Sequence, residues 1–293
     1  MIIDALTHIL PPYFNEHRDE ALARDRTFAE LFADPKARIA QAEHLLEEMD
    51  RSEVERSVIA GFGWTDQDLA KRSNDYLLES ATRHPDILIP LCSVNPLWPG
   101  DDAPKEAERC LNFGARGIGE LHADTQGWGD PPYDRLDDVM SVAREYVDSR
   151  NKIAFVVIHG SEPLGHTYPG KGAMTPDRLL QLATRFPDNS FIFSHFGGGL
   201  PFYERMPEVS KALSNVAYDS AAAPFLYDTN IYDTIESLVG STRIFFASDF
   251  PLMTQRRALD HLRSAELPLY TQKMILEVAG QVYDFSRSPK NQT

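Results

Sequence analysis

Cysteine is scarce in this sequence of 293 residues, which contains only Cys92 and Cys110. Two cysteines are too few for a disulfide framework, so one large hydrophobic core has to stabilise the fold. Cys92 lies within the apolar segment ILIPLCSV, where we expect an inert buried thiol. The low cysteine content favours a reducing compartment, and we expect a cytoplasmic protein.

Clustered basic residues and long apolar segments are also missing. The 29 lysines and arginines are outnumbered by 44 acidic residues, which gives a formal net charge of −15. A surface that binds phosphate groups needs clustered positive charge, so this composition disfavours nucleic acid and anionic membranes as partners. No run of about 18 apolar residues is present, and the amino terminus lacks the basic and apolar regions of a signal peptide. We therefore expect no membrane segment and no export.

What the sequence does contain is a regular alternation of apolar runs, rich in Val, Ile and Phe, with segments of helical periodicity. This alternation is typical of βα units around a parallel sheet, and eight repeats predict a closed (β/α)8 barrel formed by one domain over residues 1–293. An open doubly wound sheet would place a glycine-rich loop after the first strand, where this chain has HILPPYF. The runs are residues 1–8, 56–62, 87–94, 115–121, 152–159, 189–195, 214–219 and 242–249.

Five of these runs end in or beside a histidine or an acidic residue: His8, Glu120, His159, His195 and Asp249. In a parallel barrel the carboxyl ends of all strands meet at one rim, so these side chains converge there. Neutral imidazole and carboxylate are ligands that suit zinc and similar first-row ions. The pattern predicts a metal centre, in which Glu120 is a ligand, a general acid or base, or a partner that orients a histidine.

The long loop GSEPLGHTYPGKG after the fifth run is the main candidate for substrate binding. Its polar residues Glu162, His166, Tyr168 and Lys171 are placed to orient a substrate carboxylate or carbonyl. Bracing of the barrel or of a subunit contact is the alternative role for this loop. His122, two residues after Glu120, is either a residue that faces substrate or a solvated loop histidine, and the second interpretation is favoured.

Six segments in this order resemble the amidohydrolase-related family that includes aminocarboxymuconate semialdehyde decarboxylase. The resemblance implies a distorted TIM barrel with one divalent metal, usually zinc, at its carboxyl-terminal mouth. It also implies a dimer or larger homo-oligomer. In that family the ligands are an HxH pair on the first strand, a histidine on the fifth and an aspartate on the eighth, while a histidine on the sixth polarises water or substrate. The segments are IDALTHIL, GARGIGEL, VIHGSEPLGHTYPGKG, FSHFGGGLPFYERMPEV, NVAYDSAAAPFLYD and FFASDFPL.

Carried over to this chain, the resemblance implies that His8, His159 and Asp249 are ligands and that His195 is the catalytic base or a further ligand. Leu6 occupies the position of the first histidine in the HxH pair, and leucine cannot bind a metal. Two explanations are open. Either Glu120, His159 and His195 hold a displaced ion, with Asp249 as ligand or base, or the chain holds little metal and has lost its catalysis.

Three functions are consistent with this pattern. The first is a metal-dependent hydrolase of a small amide, ester or lactone, in which Asp249 or His195 moves the proton. The second is a nonoxidative decarboxylase of a small, possibly aromatic, carboxylic acid, with Lys171 or Arg116 as a cationic clamp for the carboxylate. The third is a catalytically silent barrel that binds a small molecule, which Leu6 supports.

Overall fold

The computed structural model describes residues 1–147 and 153–282. Each of the eight apolar runs contains a strand, because parallel strands covered on both faces read as continuous apolar segments. The first residue of the fifth run and the end of the predicted domain lie outside the described residues. The strands are β1 (Ile3–His8), β2 (Arg56–Ala60), β3 (Leu88–Pro90), β4 (Gly117–Leu121), β5 (Phe155–Ile158), β6 (Ser190–Phe193), β7 (Val216–Asp219) and β8 (Ile244–Phe245).

The strands pair in parallel and close into a ring. Strands β1 to β3 form one ladder, and β4 to β8 form a second, each in sequence order. Backbone hydrogen bonds join the two ladders on both sides: Cys92 N donates to Gly117 O over 3.0 Å, and Ala5 N donates to Phe246 O over 2.8 Å. The predicted (β/α)8 TIM barrel is therefore confirmed.

Helices follow the strands and cover the outside of the barrel. A proline-rich turn precedes the first helix. Helix α5 begins directly after Asp66, whose side chain accepts hydrogen bonds from the backbone N–H groups of Asp68 and Leu69. The helices are α1 (Tyr13–Glu16), α2 (Arg18–Arg24), α3 (Arg26–Phe32), α4 (Ala42–Ser52), α5 (Gln67–Arg83), α6 (Asp102–Asn112), α7 (Ala123–Gln126), α8 (Asp137–Glu145), α9 (Pro176–Arg185), α10 (Ser194–Gly197), α11 (Pro207–Ala212), α12 (Ala223–Leu226), α13 (Asn230–Val239), α14 (Gln255–Arg263), α15 (Leu269–Glu277) and α16 (Ala279–Val282), with 3-10 turns at Asp134–Leu136, Leu200–Tyr203 and Ser241–Arg243.

The hydrophobic core has two parts, one on each face of the barrel wall. On β2, Val58 and Ala60 belong to an inner cluster, whereas Ile59 between them belongs to the larger cluster under the helices. This alternation is the period of two expected for a strand covered on both sides. Leu6 is fully buried in the inner cluster, so its side chain contributes to barrel packing.

None of the helices in the described ranges combines the length and the apolar character needed to cross a bilayer.

Candidate metal centre

The carboxyl-terminal rim of the barrel brings all five predicted ligands together. His8 is the last residue of β1, and Glu120 lies one residue before the end of β4. His159 directly follows β5. His195 and Asp249 lie shortly beyond the ends of β6 and β8. His195 and Asp249 have φ values of 59° and 65°, so each lies in a sharp left-handed bend at the mouth.

Three of the histidines are oriented by backbone carbonyl groups. Each uses one ring nitrogen as a hydrogen-bond donor to a carbonyl oxygen, which leaves the lone pair of the other nitrogen directed into the mouth. The nitrogens that face the centre are therefore Nε2 of His8, Nδ1 of His159 and Nε2 of His195. The anchoring contacts are His8 Nδ1 to Gly61 O at 3.2 Å, His159 Nε2 to Gly170 O at 3.0 Å and His195 Nδ1 to Ala221 O at 2.9 Å.

The carboxylate of Glu120 lies at the middle of these histidines. Its Oε1 is 3.1 Å from His159 Nδ1 and 3.8 Å from His195 Nε2. Its Oε2 is 3.2 Å from His122 Nε2 and 3.6 Å from His8 Nε2. One acidic side chain thus contacts imidazole nitrogens that come from four different strand ends.

Asp249 completes the group on the side where β8 meets β1. Its Oδ1 is 3.2 Å from His8 Nε2, and the residue is 9% exposed, so it faces both the centre and the mouth. The ring of His8 stacks on Phe62, with 4.1 Å between the ring centroids. This stacking covers one face of the imidazole with apolar surface.

His122 belongs to the centre, and its interpretation as a solvated loop histidine is wrong. The residue is 4% exposed, and its ring stacks on that of His159 with centroids 4.4 Å apart. The ligand atoms of Glu120, His122 and His159 lie within 4.8 Å of one another, which is close enough to hold one ion. The short helix α7 turns the chain back immediately after His122, so its side chain packs inward.

Gln126 fixes the backbone beside His122, and the sequence interpretation missed it. Its Oε1 accepts from His122 N at 3.2 Å, and its Nε2 donates to the carbonyl oxygens of Trp64 and Val94 at 3.2 and 2.9 Å. The side chain is thereby bonded at both ends in a buried position. The spacing of four residues in HADTQ, with both residues in one helical turn, was the available signal.

Asp219, at the end of β7, was missed in the same way. It is fully buried, and its Oδ1 accepts from the backbone N–H groups of His195 and Ala221 at 3.2 and 3.0 Å. Burial raises the pKa of this carboxyl group to about 6. The seventh run also ends in an acidic residue, so the pattern that identified Glu120 and Asp249 applied to Asp219 as well.

The electrostatics of the centre combine burial with strong pairing. Burial alone would raise the pKa of Glu120, but the charges and hydrogen bonds of His159 and His122 hold this pKa well below its usual range. Burial likewise opposes ionisation of His8 and His159, yet Asp249 and Glu120 respectively raise their pKa values. Burial, together with the charge of His159, lowers the pKa of His122 to about 4.

The donor set fits a divalent metal ion. His8 Nε2 is buried and makes no well-aligned hydrogen bond within the described residues, although Asp249 Oδ1 lies 3.2 Å and Glu120 Oε2 lies 3.6 Å from it. A buried nitrogen between two carboxylates in this way is suited to bind an ion. Imidazole nitrogens and carboxylate oxygens together suit zinc, manganese and related ions. Leu6 supplies no donor atom, whereas Glu120, His122 and His159 place ligand atoms within 4.8 Å of one another.

The loop between β5 and α9 lines a cavity of about 190 Å³ together with Leu226 and Tyr227. The loop contacts the centre directly, because Gly170 O anchors His159. All four residues predicted to bind substrate line the cavity, and their role in binding stays a prediction. The lining residues are Glu162, Leu164, Gly165, His166, Tyr168, Lys171, Leu226 and Tyr227.

Arg116 does not reach the mouth, so its suggested role as a cationic clamp is wrong. The residue immediately precedes β4, and its backbone N–H donates to Pro90 O at the opposite end of the barrel from Glu120. A side chain at the amino end of a strand cannot contact a ligand at the carboxyl-terminal mouth.

The family model described as amidohydrolase matches residues 3–279. This chain belongs to the amidohydrolase family. The resemblance drawn from the six sequence motifs is thereby confirmed, and the protein is an enzyme of the hydrolase or carboxy-lyase type. No protein of curated function matches the chain in sequence.

Several solved structures share the fold of this amidohydrolase over almost its whole length. The 5-carboxyvanillate decarboxylase of Sphingomonas paucimobilis is 15% identical, with a TM-score of 0.75 and coverage of 96% of this chain and 98% of that one. The 2,6-dihydroxybenzoate decarboxylase of Rhizobium is 18% identical, with a TM-score of 0.67 and the same coverage. A dihydroxybenzoic acid decarboxylase of Polaromonas, solved with manganese and 2-nitroresorcinol, is 15% identical, with a TM-score of 0.68 and coverage of 100% and 99%.

Proposed function

We propose that this enzyme is a metal-dependent, nonoxidative decarboxylase of a small, single-ring carboxylic acid. The observation that carries the proposal is the buried cluster of histidines and carboxylates, which the loop that lines a cavity of about 190 Å³ contacts through Gly170. The names of the similar solved structures support decarboxylation over hydrolysis, which was the first function considered from the sequence. Hydrolysis of an amide, ester or lactone is the second candidate, because the family as a whole is described as amidohydrolase.

One divalent metal ion is the proposed cofactor. Glu120, His122 and His159 would hold it, since their ligand atoms lie close enough together, with His8, His195 and Asp249 around them. Three of the similar structures contain manganese, so we propose manganese or zinc, both of which this donor set accepts. The ion would supply positive charge that binds the substrate carboxylate and stabilises negative charge that develops on the substrate.

Decarboxylation requires a proton at the carbon that loses carbon dioxide. The carbon–carbon bond breaks, its electron pair stays on the substrate carbon, and that carbon then takes up a proton. Asp249 is the proposed proton carrier, because its partly exposed carboxylate contacts both the centre and the mouth. His195 Nε2 is the alternative carrier, since it faces the same centre. The buried surroundings exclude water from the developing charge.

Metal analysis distinguishes this enzyme from a silent barrel. We expect about one ion per chain in protein purified without chelator, and we expect the Glu120→Ala and His159→Ala variants to lose it, because each removes a central ligand. His17→Ala is the matched control, since His17 is a surface histidine with a half-exposed side chain. If the wild type holds no stoichiometric manganese or zinc even after reconstitution, the metalloenzyme proposal is rejected.

An activity assay separates decarboxylation from hydrolysis. We expect the metal-loaded enzyme to release carbon dioxide from at least one hydroxylated or aminated benzoic acid, followed by proton incorporation at the vacated carbon in NMR spectra. Asp249→Asn should abolish turnover while the metal is retained. Hydrolysis of amides, esters or lactones without carbon dioxide release would favour the second candidate instead.

A further inference from the structure

The cavity lined by the loop after β5 has the size of one substituted ring. A cavity of about 150 Å³ accommodates benzene, so the 190 Å³ found here leave room for one or two small substituents. Leu164, Leu226, Tyr168 and Tyr227 supply apolar and aromatic wall. Walls of this kind bind a flat ring by packing, and the few polar groups among them determine which substituents are accepted.

Glu162 is the polar group that two tyrosines hold in the cavity. Tyr168 donates its hydroxyl hydrogen to Glu162 Oε2 over 2.8 Å, and Tyr227 donates to Oε1 over 3.3 Å. Both hydroxyl hydrogens are used in this way, so neither tyrosine offers a hydrogen to a ligand. A carboxylate has about four lone-pair sites, and two of those on Glu162 therefore stay free to accept.

The two tyrosines keep their protons in this setting. Burial raises the pKa of both hydroxyl groups, and the negative charge of Glu162 raises it further. Glu162 is thus an oriented acceptor beside an apolar wall. A second anionic group placed against it would be repelled, whereas a hydroxyl or amino group would be bound.

Lys171 is the competing polar group, and its contacts assign it a bracing role. Its ammonium group donates to the carbonyl oxygens of Leu164 and His166 over 2.6 and 3.0 Å. An ammonium group has three N–H donors, so two of them are taken by the backbone of its own loop. These contacts fix the loop that carries Glu162. Glu162 is therefore better placed than Lys171 to recognise a ligand.

We infer that Glu162 determines substrate specificity by accepting a hydrogen bond from a hydroxyl or amino substituent at the end of the ring away from the reacting carboxylate. By the same contact it excludes a second carboxylate from that position. The inference rests on the proposed function, because the metal centre orients the ring by holding the reacting carboxylate. The expected substrate class is a single-ring monocarboxylic acid with a hydrogen-bond donor at its far end.

Binding of four small ligands tests this inference in the manganese-loaded enzyme. Ligand-observed NMR titrations would compare 4-hydroxybenzoate, benzoate, terephthalate and phenol with the wild type and with Glu162→Gln. We expect the wild type to bind 4-hydroxybenzoate more tightly than benzoate and terephthalate. Glu162→Gln should reduce the preference for 4-hydroxybenzoate over terephthalate about tenfold, as expected for a hydrogen bond to a charged group. Glu208→Gln, an exposed glutamate on α11, is the matched control and should bind as the wild type does.

Phenol makes failure of this inference distinguishable from failure of the proposed function. Phenol lacks a carboxylate, so its binding needs the cavity but not the metal. If phenol binds in a manner that depends on Glu162 while no acid binds, the cavity assignment holds and the decarboxylase proposal fails. Three results would each overturn the inference. The first is an unchanged preference for 4-hydroxybenzoate over terephthalate in Glu162→Gln, and the second is that none of the four ligands binds. The third is that terephthalate binds most tightly and that this binding is lost in Lys171→Met. Circular dichroism would confirm that every variant is folded.

Discussion

Single side chains control the metal centre through the groups that hold them in place. Histidines 8, 159 and 195 each donate one ring N–H to a backbone carbonyl, which sets the tautomer and the direction of the free nitrogen. Gln126 holds His122 in place in a similar way, although it contacts the backbone of His122 and not its ring. The orientation of these side chains therefore depends on groups outside the cluster of proposed ligands.

Replacement of Gln126 by leucine should weaken metal binding. The substitution preserves much of the side-chain volume but removes the acceptor for His122 N and the donor for two carbonyl groups. Outer contacts of this kind are typically worth about 10-fold to 100-fold in metal affinity, and we expect a loss in that range when the enzyme competes with a chelator for manganese. Gln67→Leu on α5 is the control, because Gln67 contacts Asp102 away from the centre. Equal affinities in both variants would contradict the positioning role of Gln126.

Substitution of Leu6 by alanine should lower stability and leave metal content unchanged. Leu6 is fully buried in the inner cluster, and truncation of a buried leucine typically costs about 3 kcal/mol in free energy of unfolding. His8→Ala should show the reverse pattern, because it removes a free nitrogen at the centre. Urea unfolding and metal analysis of the two variants would measure both quantities. A loss of metal in Leu6→Ala would contradict the assignment of Leu6 to packing.

Residues that have a metal-binding side chain and also end or follow an apolar run could be predicted from sequence. His8, Glu120, His159, His195 and Asp249 all end or follow apolar runs, and the structure brings them together. His122 and Gln126 could not be placed, because the direction of a side chain in a loop depends on how that loop folds back. Their burial follows from the turn of α7, which apolar periodicity does not reveal.

At the scale of elements, the turn after β6 has an unusual backbone conformation. Five consecutive residues from His195 to Gly199 have positive φ values between 51° and 94°. A non-glycine residue is strained in this region, and His195 and Phe196 nevertheless adopt it. Asp219 on β7 stabilises the bend by accepting from His195 N. The bend carries the imidazole of His195 into the mouth.

Gly198→Ala should destabilise the enzyme more than Gly100→Ala does. The two glycines have nearly equal φ values of 60° and 58°, so both variants share the same backbone strain. A Cβ atom at Gly198 would overlap the carbonyl oxygen of Ser161, whereas one at Gly100 would meet nothing within 4 Å. We expect about 1–2 kcal/mol of lost stability for Gly100→Ala and clearly more for Gly198→Ala in thermal or urea unfolding. Similar losses would show that the contact with Ser161 is unimportant.

At the scale of the whole molecule, the ring closes at a seam between β1 and the segment after β8. Asp4 is fully buried there and accepts from Ser248 N, Ser248 Oγ and Gln255 Nε2 at 2.9, 2.5 and 2.8 Å. Burial raises the pKa of Asp4 from 3.8 to about 6, although these hydrogen bonds oppose the shift. The closure of the barrel is thus linked to the protonation of one carboxyl group.

This link predicts a pH dependence of stability. Because folding raises the pKa of Asp4, its contribution to stability is fully present below about pH 4 and is lost as the pH rises through about 6. The shift corresponds to about 3 kcal/mol, so the free energy of unfolding of the wild type, relative to Asp4→Asn, should fall by about that amount between pH 4 and pH 7. Urea unfolding at several pH values would measure this difference. A difference that does not vary with pH would refute the assignment.

The barrel itself was predictable because each strand is covered on both faces and reads as an apolar run. The exact extent of the strands was less predictable, as β3 and β8 show. Regular pairing covers only Leu88–Pro90 and Ile244–Phe245 of the longer runs. In the second case the chain bends to bring Asp249 into the mouth with a φ of 65°. Apolar content marks where a strand lies but not where it bends for a functional residue.

The loop after β5 has a consequence for anyone who wishes to redesign this enzyme. One short stretch contains Tyr168, which orients Glu162, and Gly170, which fixes the ring of His159. Exchange of this loop for a foreign sequence would disturb both Glu162, the proposed specificity residue, and the ring of His159, a proposed metal ligand. Engineering of a new specificity is therefore best confined to substitutions that leave the path of the backbone at Gly170 unchanged.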